Sequence, residues 1–356
     1  MPSSKSYLTL QNIALPFIAM AAATAFFYFA SPILIPVVLS ISFSYILSPA
    51  VRLLNKARLP HLVSVFIVVF VVMLLLVITG YFLFGVAQKL VKDLPMYWDE
   101  IISLVDQLRG QIKALDRIFP SLKNIDLSKG LALKDVSDLT KFTTKSVSSL
   151  VISVFSLILT AFLTVLLLSE QRGLKEKLIH AFGRKERDAA KSIIEQINGQ
   201  IGKFMLVKFL TSLGLAILFA TGLLIIGVKY ALLWGLVAGV MNLVPFVGPL
   251  IALAPPLIVA GIQFKAVLPM FWVLLLYEAL QIPESNLITP KVMGRSLNLS
   301  PFAILVATMY WAWLWGAIGV VLAVPITAAI KVICDHIKPL EPIGIVLGGR
   351  VAKPQA

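Results

Sequence analysis

Eight apolar stretches divide this chain, at roughly 13–30, 33–51, 62–86, 147–169, 206–228, 231–262, 266–282 and 301–333. Each has about the length needed to cross the hydrocarbon core of a bilayer, which takes roughly 20 helical residues. Inside lipid every backbone N–H and C=O must be satisfied internally, which leaves only helices or a closed barrel. Runs this long, with no two-residue alternation, specify helices. The composition agrees: 59% of the residues are hydrophobic and 13% charged, against about 25% charged in soluble domains. The fold class expected is an all-α polytopic membrane protein, with the lipid bilayer as its first partner.

Charge sets the expected topology. Lys+Arg number 31 against 17 Asp+Glu, a formal charge of +14. The excess flanks apolar runs, as the positive-inside rule requires, so nucleic acid is not expected as a partner. The link from Arg52 to His61 carries Arg52, Lys56 and Arg58 and belongs in the cytoplasm. The N-terminus is then cytoplasmic as well. The first run, Ile13 to Ala30, is followed at once by the second and has a poor cleavage pattern at FYFASP, so it reads as a retained span.

Five regions follow. Residues 1–86 hold spans one to three, and 87–145 form an extracytoplasmic insertion with ten Lys/Arg and eight Asp/Glu. Residues 146–205 hold span four and a cytoplasmic amphipathic or linker helix marked by Ile193, Ile197 and Ile201. Residues 206–335 form a C-terminal transport unit, and 336–356 a cytoplasmic tail. In the insertion, Leu94, Trp98, Ile101, Val105, Leu108, Ile112 and Leu115 alternate by four and three. Such a heptad seam, in a helix expected to start at Pro95, either packs on its own domain or joins protomers of a homo-oligomer.

The C-terminal half repeats itself. Residues 233–245 read LWGLVAGVMNLVP and residues 314–325 read LWGAIGVVLAVP. Each lies in about 30 apolar residues interrupted by Gly or Pro, more than one straight span needs. Such pairs of broken segments point to a transporter site. Two arrangements fit. Six full spans plus two re-entrant hairpins, related as inverted repeats, put Lys291, Arg295, Lys331 and Lys338 in the cytoplasm. Eight plain spans put Lys291 and Arg295 outside.

Polar residues inside or beside these breaks are candidates for chemistry, because ionisable and amide groups at membrane depth are costly without a function or a partner. Glu278 is the only acid in the run 266–282, three residues before Gln281. Glu284 and Asn286 follow Pro283, in QIPESNLITPKVMGRSLNLSP (281–301). Asn242, Gln281, Glu284 and Asn286 are candidate solute or ion ligands, and Glu278 and Glu284 candidate coupling carboxylates. The plainer assignment for the acids is an ion pair with Lys291 or Arg295. Pro245, Gly248, Pro249, Pro283, Pro290, Gly294, Gly319 and Pro325 are the break residues. Pro245 is expected to free a carbonyl four residues earlier. Gly235 and Gly239 form a GxxxG, which favours close helix packing. Tyr310, Trp311, Trp313 and Trp315 read as interfacial anchors.

Other chemistries lack a signal. There is no GxxxxGK[ST] and hence no ATP-driven engine or ATPase subunit implied, no HExxH and no Gly-x-Ser-x-Gly. The single cysteine, Cys334, permits no intrachain disulfide. His61, His180 and His336 lie far apart, so no metal site and no enzyme activity are expected.

The words NLVPFVGPLIALAPP (242–256), ESNLITPKVMGRSLNLSP (284–301) and WAWLWGAIGVVLAVPITAAIKVI (311–333) resemble the bacterial autoinducer-2 exporter family of permease-like transporters. The likeness extends over most of the chain. Pro245, Gly248, Glu284, Asn286, Pro290, Gly294 and Pro325 fall on the family pattern, and Phe246 departs from it where a tyrosine or other polar residue is frequent. The resemblance implies secondary transport across the inner membrane, by a homo-oligomer with a pentamer as one candidate number. It implies either export of a small polar solute such as autoinducer-2 or Na⁺(Li⁺)/H⁺ antiport. No cofactor is expected beyond Na⁺ or a proton as coupling ion. A third option is a non-transporting membrane scaffold built on the outer seam.

Overall fold

In the computed structural model, residues 10–111, 136–181, 183, 187–289, 291 and 298–349 are described. The helices are α1 (Leu10–Phe29), α2 (Ser31–Lys56), α3 (His61–Gln111), α4 (Val136–Ala181), α5 (Arg187–Ile226), α6 (Ala231–Met241), α7 (Val247–Phe264), α8 (Val267–Pro283), α9 (Pro301–His336) and α10 (Glu341–Leu347). A π-helical turn, Glu284–Ile288, continues α8, and a 3₁₀ turn, Lys338–Leu340, precedes α10. Six of these helices are long and apolar enough to cross a membrane; α4, bent by 78° between Gln171 and Gly173, makes a seventh. The all-α polytopic fold expected from the apolar runs is therefore the fold observed.

Two expected helix boundaries are absent. Pro95 opens no new helix, because α3 passes through it and runs 51 residues without a break. At 1.5 Å per residue this is roughly 75 Å, well beyond a hydrocarbon core of about 30 Å. Leu94, Trp98, Ile101, Val105 and Leu108 fall within α3; Ile112 and Leu115 lie outside the described residues. Similarly, the amphipathic stretch at 187–205 is not a separate helix but the first half of α5.

The chain divides into two compact units. Unit 1 comprises residues 1–45, 159–201 and 297–356. Its core centres on Trp311, Trp315, Leu322 and Ala323 of α9, against Phe27, Leu34 and Val38. α9 is broken at Gly316, whose φ of 61° and ψ of −142° suit a residue with no Cβ. Eight residues of straight helix would separate Trp311 from Gly319 by about 12 Å. Instead a Cβ at Gly319 would collide with the Trp311 carbonyl, so the chain doubles back at the break. That reversal corrects the anchor assignment for two of the tryptophans. Trp311 and Trp315 are buried, and the Trp315 indole N–H donates to the Phe27 carbonyl at 2.9 Å. Of these three neighbouring tryptophans, Trp313 alone is widely exposed, at 69%. The C-terminal segment returns to the start of α9: Ser300 N–H donates to the Leu347 carbonyl at 2.9 Å and Gly349 N–H to the Asn298 carbonyl at 3.1 Å.

Unit 2 comprises residues 46–158 and 202–296. Here the apolar segment 231–262 is two helices, α6 and α7, packed on one another and on α8. The outer face of α3 shows the pattern of a protein solvated by lipid, with Phe66, Phe70, Leu74, Val77 and Tyr81 exposed and Ser64, Val65, Val68 and Val69 buried. α6 lies against α5 along a seam of small residues. A Cβ on Gly235 would meet the Ala216 carbonyl at 2.6 Å, and one on Gly239 would meet Ala216 Cβ at 2.7 Å and the Ser212 carbonyl at 2.8 Å. Gly235 and Gly239 thus oppose Ala220, Ala216 and Ser212, which recur every fourth residue. The GxxxG motif works here as a backbone-to-backbone contact.

The link between α6 and α7 is a tight reversal. Val244 N–H donates to the Met241 carbonyl at 2.9 Å, and Val247 N–H to the Pro245 carbonyl at 2.7 Å. The carbonyl that Pro245 was expected to free is therefore occupied. The second bond closes a γ-turn with Phe246 at φ 65° and ψ −56°, the rare and strained form of that turn. Gly248 follows because a Cβ there would strike the Met241 carbonyl.

Two outcomes follow for stability. Gly239→Val should destabilise the protein by about 1–3 kcal/mol, through overpacking against a backbone that cannot retreat. Phe246→Gly should stabilise it by about 1 kcal/mol through relief of backbone strain. Thermal unfolding of purified protein in detergent measures both. A Gly239→Val variant as stable as the parent would remove the seam as a determinant of the fold.

Candidate functional site

The seam between α5 and α6 continues into a cluster of polar groups. One turn beyond Ser212 on α5 is Lys208, and just past Gly239 on α6 is Asn242, the residue that ends the helix. Because the two backbones touch at Gly239, Asn242 reaches both. Its Nδ2 donates to Ser212 Oγ at 3.2 Å and its Oδ1 accepts from Lys208 Nζ at 3.2 Å.

The third side of the cluster is the end of α8. Pro283 has no N–H to give, and the helix passes into the π turn Glu284–Ile288. Such turns frequently mark functional positions. Glu284 Oε1 accepts from Lys208 Nζ at 3.0 Å, from Asn242 Nδ2 at 3.4 Å and from Thr289 Oγ1 at 3.0 Å. Gln281 Nε2 donates to Asn242 Oδ1 at 3.3 Å. The ion pair is well enclosed, with side-chain exposures of 15% for Lys208 and 6% for Glu284.

The orientation of both amides follows from this network. A carboxylate only accepts hydrogen bonds and an ammonium only donates them. Asn242 must therefore turn its NH₂ to Glu284 and its oxygen to Lys208. Gln281 faces that same oxygen, so it too must present its NH₂ there. Asn242 then has every hydrogen-bonding site in use. Among the described residues Gln281 Oε1 has no partner, nor does the hydroxyl of Tyr277 one turn earlier on α8, and both atoms are buried. An unsatisfied buried polar group costs about 1–3 kcal/mol.

Three of the four expected ligands thus meet: Asn242, Gln281 and Glu284. Asn286 does not join them; it is exposed, since two helical residues beyond Glu284 lie near the opposite face. Glu278 is half-buried and outside the hydrogen-bonded cluster. Lys291 is exposed and is not the partner of Glu284; Lys208 is. Pro290, Gly294 and Arg295 lie outside the described residues. The sequence reading missed Lys208, Ser212 and Thr289. A signal for Lys208 existed: it is the only charged residue in the run 206–228.

A buried ion pair of this kind is weak evidence for stability, because desolvation offsets most of the attraction. What it can do chemically is change partners. Protonation of Glu284, or a cation in place of the ammonium, would release Lys208 and with it the hold on Asn242 at the α6–α7 reversal.

The chain matches the profile of the AI-2E family transporter over residues 17–338. A putative transport protein of Borreliella burgdorferi is 26% identical over 324 residues, covering 91% of this chain and 86% of that protein. The AI-2 transport protein TqsA of Escherichia coli is 26% identical over 322 residues, covering 90% of each. The putative transport protein YhhT of the same organism is 26% identical over 346 residues, covering 96% and 95%. With the family profile covering nearly the whole chain and the helices long enough to span a bilayer, this protein belongs to the AI-2E family of membrane transporters.

Proposed function

We propose that this protein is a secondary transporter of the bacterial inner membrane that exports a small polar solute such as autoinducer-2, and that proton or ion binding at Glu284 drives it. The observation that carries the reading is the enclosed ion pair between Lys208 and Glu284, tied through Asn242 to the reversal between α6 and α7. A charge state at Glu284 is thereby coupled to the position of a hairpin tip, which is what coupled transport needs. The likeness to the AI-2 transport protein TqsA supports the choice of solute. In this reading α6–α7 is a re-entrant hairpin, both termini face the cytoplasm, and the transporter works as a homo-oligomer.

A second reading has a specific observation behind it. An alkali cation could take the place of the Lys208 ammonium beside Glu284 and Asn242 Oδ1, with a proton leaving in exchange. That would make the cation itself the substrate.

Proteoliposomes separate the two. An imposed pH gradient should drive autoinducer-2 counterflow, and Glu284→Gln should lower it at least tenfold. Proton flux triggered by Na⁺ or Li⁺ with no organic solute would select the antiporter instead. Stability controls the interpretation. Lys208→Met alone strands a buried carboxylate and should cost about 3–5 kcal/mol. The double variant Lys208→Met/Glu284→Gln should recover most of that loss while staying inactive. If the double variant transported at the parent rate with unchanged pH dependence, the ion pair would have no part in coupling.

A further inference from the structure

The Lys208–Asn242–Glu284 network satisfies itself, and the two polar atoms left over lie beside it. Gln281 is 8% exposed and Tyr277 1% exposed, and among the described residues neither Gln281 Oε1 nor the Tyr277 hydroxyl has a hydrogen-bond partner. The two residues are four apart on α8, so they share one helix face, one turn above the other. Their neighbours hold them in place without engaging these atoms. The Tyr277 ring packs edge-on against Phe219, with centroids 5.1 Å apart. The Gln281 NH₂ is committed to Asn242, and the electrostatics of the network fix which way the amide points. Two buried polar groups, oriented and unpartnered, are a ready-made recognition element.

We propose that Tyr277 Oη and Gln281 Oε1 form a solute subsite that takes an uncharged, hydroxyl-bearing small molecule. This rests on the transport reading above and adds to it the residues that touch the solute. The chemistry of the free atoms decides the class. Gln281 Oε1 only accepts, so the solute must donate to it. Tyr277 both donates and accepts, as another hydroxyl can match. An anion would face the amide oxygen with no donor. A cation there would stand close to the Lys208 ammonium, which reaches Gln281 through a single shared acceptor, Asn242 Oδ1. A neutral polyhydroxy compound meets neither obstacle. The ion pair beside it is net neutral, and its task is to gate rather than to bind.

The roles of the two groups can be tested apart. Purified full-length protein would be titrated with autoinducer-2, ribose and glycerol, and separately with NaCl and LiCl, while its thermal midpoint is recorded. Tyr277→Phe keeps the ring on Phe219 and removes only the hydroxyl; Gln281→Leu removes the amide. In the absence of solute, Tyr277→Phe should raise the midpoint, because it deletes an unpaired buried hydroxyl. With solute, the stabilisation that at least one hydroxylated probe gives the parent should fall about tenfold in apparent affinity in both variants. In proteoliposomes, KM for that probe should rise about tenfold, with a smaller loss in maximal rate. Glu284→Gln should show the reverse pattern, retaining the thermal shift and losing the gradient dependence. A hydroxylated probe bound through Tyr277 but not transported would leave the subsite standing and sink the transport reading. Transport of autoinducer-2 with unchanged KM in both variants would do the opposite. No thermal shift with any hydroxylated probe, or a shift with the salts alone, overturns the subsite.

Discussion

Close contact between the backbones of α5 and α6 is what the polar cluster of unit 2 depends on. Leucine-sized residues at 235 and 239 would push the helices apart, and Asn242 would no longer reach Lys208 and Ser212. The glycines of α6 face Ala220, Ala216 and Ser212, and the same periodicity then brings in Lys208. In lipid there is little hydrophobic drive to join two helices, so shape and hydrogen bonds must do it. Here the small-residue seam supplies the shape, and the Asn242–Ser212 and Asn242–Lys208 bonds supply the polar closure.

The same contact explains how a charge pair survives at this depth. Isolated, either Lys208 or Glu284 would be very costly away from water. Together, with Asn242 and Thr289 beside them, each charge meets opposite charge or a dipole of the right sign. The π turn at Glu284 matters to this. Ordinary helical spacing already puts Glu284 on the face of Gln281 and Tyr277, and the π turn that begins there returns Thr289, five residues on, to the carboxylate. Asn286, two residues past Glu284, is carried away from it. The cluster is therefore one-sided. Among the described residues its groups come from the seam side of α5, the end of α6, and one face of α8 with the π turn that continues it.

Much of this was legible in the sequence, and the rest was not for identifiable reasons. The long apolar runs yielded the helices, because hydrophobic length is a one-dimensional property. Asn242 and Gln281 stood out because each interrupts such a run, and Glu284 because it follows Pro283 in the break. Lys208 was overlooked because it lies near the edge of its run, close after Lys203, where a lysine is readily taken for an interfacial flank. Its pairing with Glu284 was hidden by a separation of 76 positions along the chain; local charge favours Lys291. The helix boundaries at Pro95 and near 205 failed for another reason. A helix that leaves the membrane need not end there, and a composition change alone does not terminate it.

The repeat gives the most instructive case. The words LWG, GV and VP recur in 233–245 and 314–325, yet the chain does not turn at the same word. In the first segment Gly235 lies mid-helix in the small-residue seam, and the reversal comes later, at Asn242–Phe246. In the second the reversal is at Gly316, inside LWG itself. Both reversals end in the same device, a glycine set against the last helical carbonyls, Gly248 on Met241 and Gly319 on Trp311. The tips nevertheless carry different chemistry. One is closed by a strained γ-turn and holds an asparagine joined to an ion pair. The other packs two tryptophans against Phe27 and takes the Trp315 N–H into a backbone bond. Shared words therefore established a shared way of bending an apolar segment, while the polar residue that the bend presents was set separately in each. Asn242 has no counterpart beside Gly316, so the chemistry that distinguishes the two reversals belongs to the first.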